Sequence, residues 1–315
     1  MKEFLHDYGN GIHAIDSGYG GAVFCAVHVM IEQGRAALID TATNATVART
    51  LAALEYLGIG RDQVDYLILT HIHLDHAGAA GTLMAALPNA RLVVHPRGSR
   101  HMADPGKLFA AVQDVYGKEE ADRLYGTLLP IDPARIIEAS DRDTLTLANR
   151  ELEFLDAPGH ARHHMVVRDG RTGHFFTGDT FGLSYRQLDA DGRQFVMPST
   201  SPSQFDPVAL HRTVDMIAAQ QPAAIYVTHF GKVVDVPRLA ADMHRLIDAH
   251  VAIGTRHRHA GSERLHRIST DLNTLYEQEA RDQGWAMQGE TLLDFLAMDI
   301  DLNAQGIGIW LDGTR

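Results

Sequence analysis

One cysteine, two tryptophans and no long apolar run are what this 315-residue chain has least of. The single thiol, Cys25, excludes an intrachain disulfide, and its setting in AVFCAVHV reads as a strand interior where a thiol is an inert small hydrophobe. No stretch approaches the roughly 20 apolar residues of a membrane span. The opening MKEFLHDYGNGIHAID has no basic segment followed by an apolar one, so neither a membrane partner nor a secretory leader is expected. Basic residues are also short: 28 Lys and Arg against 40 Asp and Glu give a formal charge of −12. Phosphate tracking needs clustered cations, so nucleic acid is a poor candidate partner. A small-molecule substrate in a reducing cytoplasm is the expectation that survives these absences.

What is abundant is apolar content, 45%, and histidine, 19 residues. The first supports a sizeable core. Apolar runs at Val23–Ile31 and Arg35–Ile39 flank a turn and predict a hairpin ending in Asp40. Val47, Leu51, Leu54 and Leu57 recur at helical spacing, with Gly58 as the stop. Tyr66–Leu69 reads as a short buried strand, Ala77–Leu87 as a helix ended by Pro88, and Arg91–Val94 as a strand ending at His95. A helical insertion follows at about 97–133. Strand patterns return at Thr144–Leu147, Glu151–Leu155, Met165–Arg168, His174–Thr177 and Ala224–Thr228. Between the last two lies a helix with Asp206 as cap and Pro207 at its first position. From Pro237 the pattern is helical, with Leu239, Met243, Leu246 and Ile247 on one face and Leu265, Ile268, Leu272 and Leu275 on another. These elements predict a layered α/β catalytic domain over 1–235 and a helical C-terminal extension over 236–315.

Polar, metal-competent residues sit where the apolar strands end. AALID ends in Asp40, YLILT runs into His71, ELEFLDAPG into His160, HFFTG into Asp179, and AIYVT into His229. Ligands in open α/β sheets bind beyond the carboxyl ends of strands, so these positions are expected on one rim. Within THIHLDHAGAAG, alternation along an extended segment lets His71 and His73 grip one ion, while Asp75 and His76 face a second. The small residues Ala77–Gly81 allow a helix to pack close beneath. His160 is the expected third ligand of the first ion, His229 of the second, and Asp179 a bridge. Imidazole and carboxylate without thiolate suit zinc first, with iron or manganese compatible.

HIHLDH at 71–76 resembles the H-x-H-x-D-H signature of the metallo-β-lactamase superfamily, and Asp40, His160, Asp179 and His229 match its other motifs in order. The resemblance covers about residues 10–232, and the ordered set is far more specific than any single motif. It implies an αββα sandwich with a dinuclear metal centre at one edge. Coordination lowers the pKa of water to about 7, so a metallo-hydrolase using Asp75 and Asp179 in catalysis is expected. Its substrate would be a small ester-like bond: a lactone, ester, thioester or phosphodiester. Asp40 reads as a residue orienting a ligand rather than as a ligand. Cys25 lies far from any ligand motif in sequence, unlike the cysteine ligand of several antibiotic-hydrolysing members.

His164 is a candidate for packing behind the ligands, His95 for lining the pocket, and Phe181 and Tyr185 for touching substrate. His163 is closer to an ordinary strand residue, and His101, His211, His244, His250, His257, His259 and His266 read as solvated surface. An iron-dependent oxidative member, such as a sulfur dioxygenase, is the competing enzyme class, and a non-catalytic binding protein on the same fold is the third. The complete ligand set favours the hydrolase. The helical tail is open to either covering the pocket or forming a homodimer contact.

Overall fold

The computed structural model describes residues 3–200 and 202–313. It divides into two compact units, one of Met1–Asp156, His163–Gly178 and Thr228–Lys232, the other of Ala157–Arg162, Asp179–Val227 and Val233–Arg315.

The first unit opens with β1 (Leu5–Asp7), β2 (Ile12–Asp16), β3 (Ala26–Glu32) and β4 (Arg35–Ile39), all antiparallel neighbours. The β3–β4 hairpin is the one the sequence predicts, and Gln33 and Gly34 between its arms have φ of 48° and 74°. Two successive positive φ values match a two-residue turn to the twist of the flanking strands. Its first arm begins later than Val23, because Val23 itself takes a φ of 48° and breaks the run. Helix α1 (Val47–Tyr56) follows and stops before Gly58, whose φ is 73°. Then β5 (Val64–Ile68) joins β4 in parallel. The predicted helix at 77–87 is two pieces, α2 (Leu74–Ala77) and α3 (Ala80–Ala86). A Cβ on Gly78 would lie 2.4 Å from the carbonyl oxygen of Leu74 and 3.2 Å from that of Ala42, so only glycine permits this approach.

Strand β6 (Arg91–Val94) pairs in parallel with β5. The insertion is helical as expected: α4 (Pro96–Ala103), α5 (Gly106–Tyr116) and α6 (Lys118–Tyr125). Strand β7 (Ile136–Glu138) closes a seven-stranded sheet in sequence order. A second, antiparallel set follows: β8 (Thr144–Leu147), β9 (Arg150–Asp156), β10 (Met165–Asp169) and β11 (Phe175–Gly178).

In the second unit lie α7 (Pro207–Ala219), β12 (Ile225–Val227), and the tail helices α8 (Val236–His257), α9 (Arg264–Gln283) and α10 (Gly289–Gly313). The two-unit boundary passes through β13 (Gly231–Val233). Asp206 caps α7, its carboxylate accepting from the Ala209 amide at 3.0 Å, with Pro207 in the first turn. Leu210, Val214 and Ile217 form the buried face as expected. On α9 the predicted stripe shifts: Leu265 is exposed, and Tyr276 joins Ile268 and Leu272 inside. No helix among the described residues is long and apolar enough to cross a membrane.

One buried ion pair ties β9 to β10. Arg150 is 1% exposed, and its Nε and Nη2 donate to the two oxygens of Asp169 at 2.7 and 2.5 Å. Its Nη1 donates to the carbonyl of Asn10 at 2.7 Å. Removing one partner strands the other charge in the interior. Arg150→Met is expected to lower the unfolding free energy by about 3–5 kcal/mol in urea denaturation, and a loss below about 1 kcal/mol, the range of an exposed pair, would contradict this role.

Candidate metal centre

The centre of the first unit is Asp40, fully buried at the end of β4 with a φ of 59°. Its amide donates to the carbonyl of Ile68 at 2.8 Å, which pins it beside the end of β5. Its carboxylate accepts from the Thr70 amide at 2.8 Å, the Thr70 hydroxyl at 3.0 Å and the Thr228 hydroxyl at 2.8 Å. The fourth donor is His76 Nδ1 at 2.9 Å. Asp40 is therefore the acceptor that gathers three strand ends.

These bonds fix the histidine tautomers. A carboxylate only accepts, so His76 carries its hydrogen on Nδ1 and its lone pair on Nε2. The Thr70 hydroxyl has one hydrogen and gives it to Asp40, so toward His71 Nδ1, 3.1 Å away, its oxygen accepts. His71 thus also turns a lone-pair Nε2 inward, 3.0 Å from His73 Nδ1. His229 Nδ1 donates to the carbonyl of Phe24 at 3.0 Å, leaving Nε2 to face Asp75. Both His76 Nε2 and His229 Nε2 stand 3.3 Å from Asp75 Oδ2. The ligand atoms of Asp75, His76 and His229 lie within 4.8 Å of one another. Two imidazole nitrogens and a carboxylate converging on one point could hold a metal ion, and ligand histidines held through their far nitrogen are the usual arrangement around a metal.

The second unit repeats the pattern on a smaller scale. His160 Nδ1 donates to the carbonyl of Ser199 at 3.0 Å, and His160 Nε2 lies 3.6 Å from Asp179 Oδ2. The loop that carries His160 rests on the start of α7. A Cβ on Gly159, whose φ is 133°, would meet the Leu210 backbone at 2.4 Å. The Asp206 amide donates to the Gly159 carbonyl at 2.8 Å, and the Thr213 hydroxyl to that of Pro158 at 2.7 Å.

Residues around this set divide differently from the sequence reading. His164 is buried and stacks on His71 with ring centroids 4.7 Å apart, and a Cβ on Gly178 would strike its Nε2. His163, read as an ordinary strand residue, lies beside the motif instead, 5.5 Å from the His73 ring. His95 spends both nitrogens on structure: Nδ1 accepts from the Arg97 amide at the start of α4, and Nε2 meets Asp156 at 3.0 Å. Phe181 is fully buried, and the Tyr185 hydroxyl donates to Asp299 of α10 at 3.1 Å, so Tyr185 anchors the tail rather than facing substrate. Cys25, distant in sequence, is close in space, its Sγ 3.5 Å from the Asp75 carbonyl oxygen. Burial pushes that thiol up against the opposing pull of His76, away from the thiolate a metal would bind. Sequence reasoning missed Tyr19 and Tyr125, whose hydroxyls meet at 3.2 Å. Burial raises both phenols, and the charge of Asp75 adds to it. It also missed Thr70 and Thr228, although a threonine directly precedes a histidine in both YLILTH and AIYVTH.

Asp40→Asn replaces the shared acceptor with a group that also donates. We expect metal held through His76 to be bound about 10–100-fold more weakly, measured by competition with a chelator. Unchanged metal retention would contradict the orienting role.

The profile of the metallo-β-lactamase superfamily matches residues 20–229. ST1585, a metallo-β-lactamase fold-containing protein of Sulfurisphaera tokodaii, is 28% identical over 197 residues, 61% of this chain and 68% of that one. Its crystal structure superposes with a TM-score of 0.65 at 22% identity, covering 95% of this chain and 98% of that chain. The metallo-β-lactamase family protein TTHA1429 of Thermus thermophilus gives 0.68 at 19% identity, over 98% and 95%. A hydroxyacylglutathione hydrolase of Synechococcus sp. is 29% identical over 143 residues, only 45% of either chain. With two sheets, flanking helices and a C-terminal helical region on one side, and a profile match over two thirds of its length on the other, the chain belongs to the metallo-β-lactamase superfamily and has its αββα fold.

Proposed function

We propose that this protein is a dinuclear metallo-hydrolase of a small ester-like bond in a lactone, ester, thioester or phosphodiester. In this reading His71, His73 and His160 would hold one divalent ion, Asp75, His76 and His229 would hold the other, and Asp179 would be available to both. The observation that carries it is the common tautomer: Nδ1 of His71, His76, His160 and His229 is engaged in each case, which reserves Nε2 for an ion. Zinc fits a set of imidazoles and carboxylates with no thiolate, and iron or manganese suit the same donors.

Two such ions supply Lewis acidity and make water acidic enough to ionise near neutral pH. The chain's own groups supply the rest. Asp179 orients the attacking water and accepts its proton. Asp40 keeps His76 in one tautomer while charge develops, and the buried setting strengthens each of these interactions. One of the Tyr19 and Tyr125 hydroxyls donates to the other, which leaves the pair one hydrogen to offer a substrate oxygen near Asp75. The partial likeness to a hydroxyacylglutathione hydrolase supports including thioesters among the candidates.

A screen of purified protein across these four bond classes, with metal analysis beside it, tests the reading. His73→Ala and Asp179→Asn are each expected to lower kcat/KM on the best substrate by about 10²–10⁴-fold with the fold retained by circular dichroism. Near-normal turnover in Asp179→Asn would overturn the dinuclear mechanism.

A further inference from the structure

Away from the centre just described, helices α7 and α8 bring together four side chains, two of them histidines that the sequence reading leaves as surface. His211 and Asp215 stand four residues apart on α7, and His244 and Asp248 four apart on α8. Each histidine pairs with the other helix's carboxylate. His211 Nε2 lies 3.1 Å from Asp248 Oδ1, and His244 Nε2 lies 3.0 Å from Asp215 Oδ1. The rings are nearly parallel, at 10°, and their Nδ1 atoms face each other at 2.6 Å.

Donor accounting makes this arrangement informative. A carboxylate only accepts, so each Nε2 carries its ring's hydrogen and each Nδ1 presents a lone pair. Two lone pairs 2.6 Å apart repel unless a cation lies between them. Carboxylates behind both rings, with the opposite nitrogens converging, are also the arrangement that orients and strengthens histidine ligands of a metal. We infer that His211 and His244 form a second, surface site for a divalent transition-metal ion, oriented by Asp248 and Asp215.

The pair must open from its 2.6 Å separation to take zinc. Zn–N bonds of about 2.0–2.1 Å at a tetrahedral ion put the two nitrogens about 3.3 Å apart, so a small opening of the pair admits the ion. The rings are 28% and 30% exposed, which gives an ion access and leaves room for water to complete the shell. The carboxylates, 72% and 75% exposed, are mobile enough to follow the rings. An ion here staples α7 to α8. Because α7 supports the loop of His160 through Leu210 and Thr213, the staple would also brace that loop.

The test is a zinc titration of the full-length protein after its resident metal has been measured and saturated. Wild type is expected to bind one further zinc per chain and to gain Tm as it does so. H211N/H244N should lose both effects while keeping the resident metal. D215N and D248N should each weaken the additional zinc by about 10–100-fold. With copper(II) as probe, electron paramagnetic resonance should show coupling to two imidazole nitrogens in wild type, which keeps the test sound if the double variant folds poorly. The inference is overturned if wild type takes up no zinc beyond its resident complement, which would leave a proton as the shared cation. Equal uptake by wild type and H211N/H244N would overturn it too.

Discussion

A carboxylate with no access to water needs donors from the protein, and Asp40 finds four: two from Thr70, one from Thr228 and one from His76. Leaving such a group short of partners costs several kcal/mol in a low-dielectric interior, so the residues that serve it are held as firmly as it is. Each of those residues also settles something else. Thr70 sets the tautomer of His71, His76 is a ligand candidate itself, and Thr228 fixes the backbone that delivers His229. One buried acceptor therefore orders three strand ends at once, and it fixes the ring hydrogen of His76 directly and that of His71 through Thr70.

Much of this was legible in the sequence, because the relevant signals are local. The hairpin at Gln33–Gly34, the cap and proline of α7, the small residues of the AGAAG run and the ligand motif all act within a few positions of themselves. What was not legible depends on contacts between distant residues. Thr228 reaches Asp40 across 188 positions, and no local pattern announces that pairing. Strands β1 and β2 were missed because short segments with His6, Asp7 and His13 among them lack a clear apolar run. Tyr185 looked like a pocket residue from its nearness to Asp179, but the donor demand of its hydroxyl is met by Asp299, 114 positions away. Cys25 shows the reverse case: distant in sequence and adjacent in space, it is kept from acting as a ligand by burial.

Rigid support recurs wherever a candidate ligand is carried on a loop. Gly78 lets α2 approach the segment after Asp40, Gly178 makes room for His164 behind His71, and Gly159 lets the His160 loop lie on α7. Close packing of this kind holds functional side chains near one geometry without relying on the ion to organise them. The paired histidines of α7 and α8 follow the same chemistry of carboxylate, ring and inward lone pair on the molecular surface. That recurrence is why the tautomer pattern, rather than the count of histidines, distinguishes ligand candidates from the rest of the 19.

The most direct test of the central claim is X-ray absorption at the metal edge of the purified protein, with ions counted per chain in the same sample. The account predicts two ions at the histidine and carboxylate centre, a shell of nitrogen and oxygen only, imidazole outer-shell scattering, and a metal–metal vector of about 3.5–4 Å. A single ion per chain, or a sulfur scatterer at about 2.3 Å arising from Cys25, would contradict it.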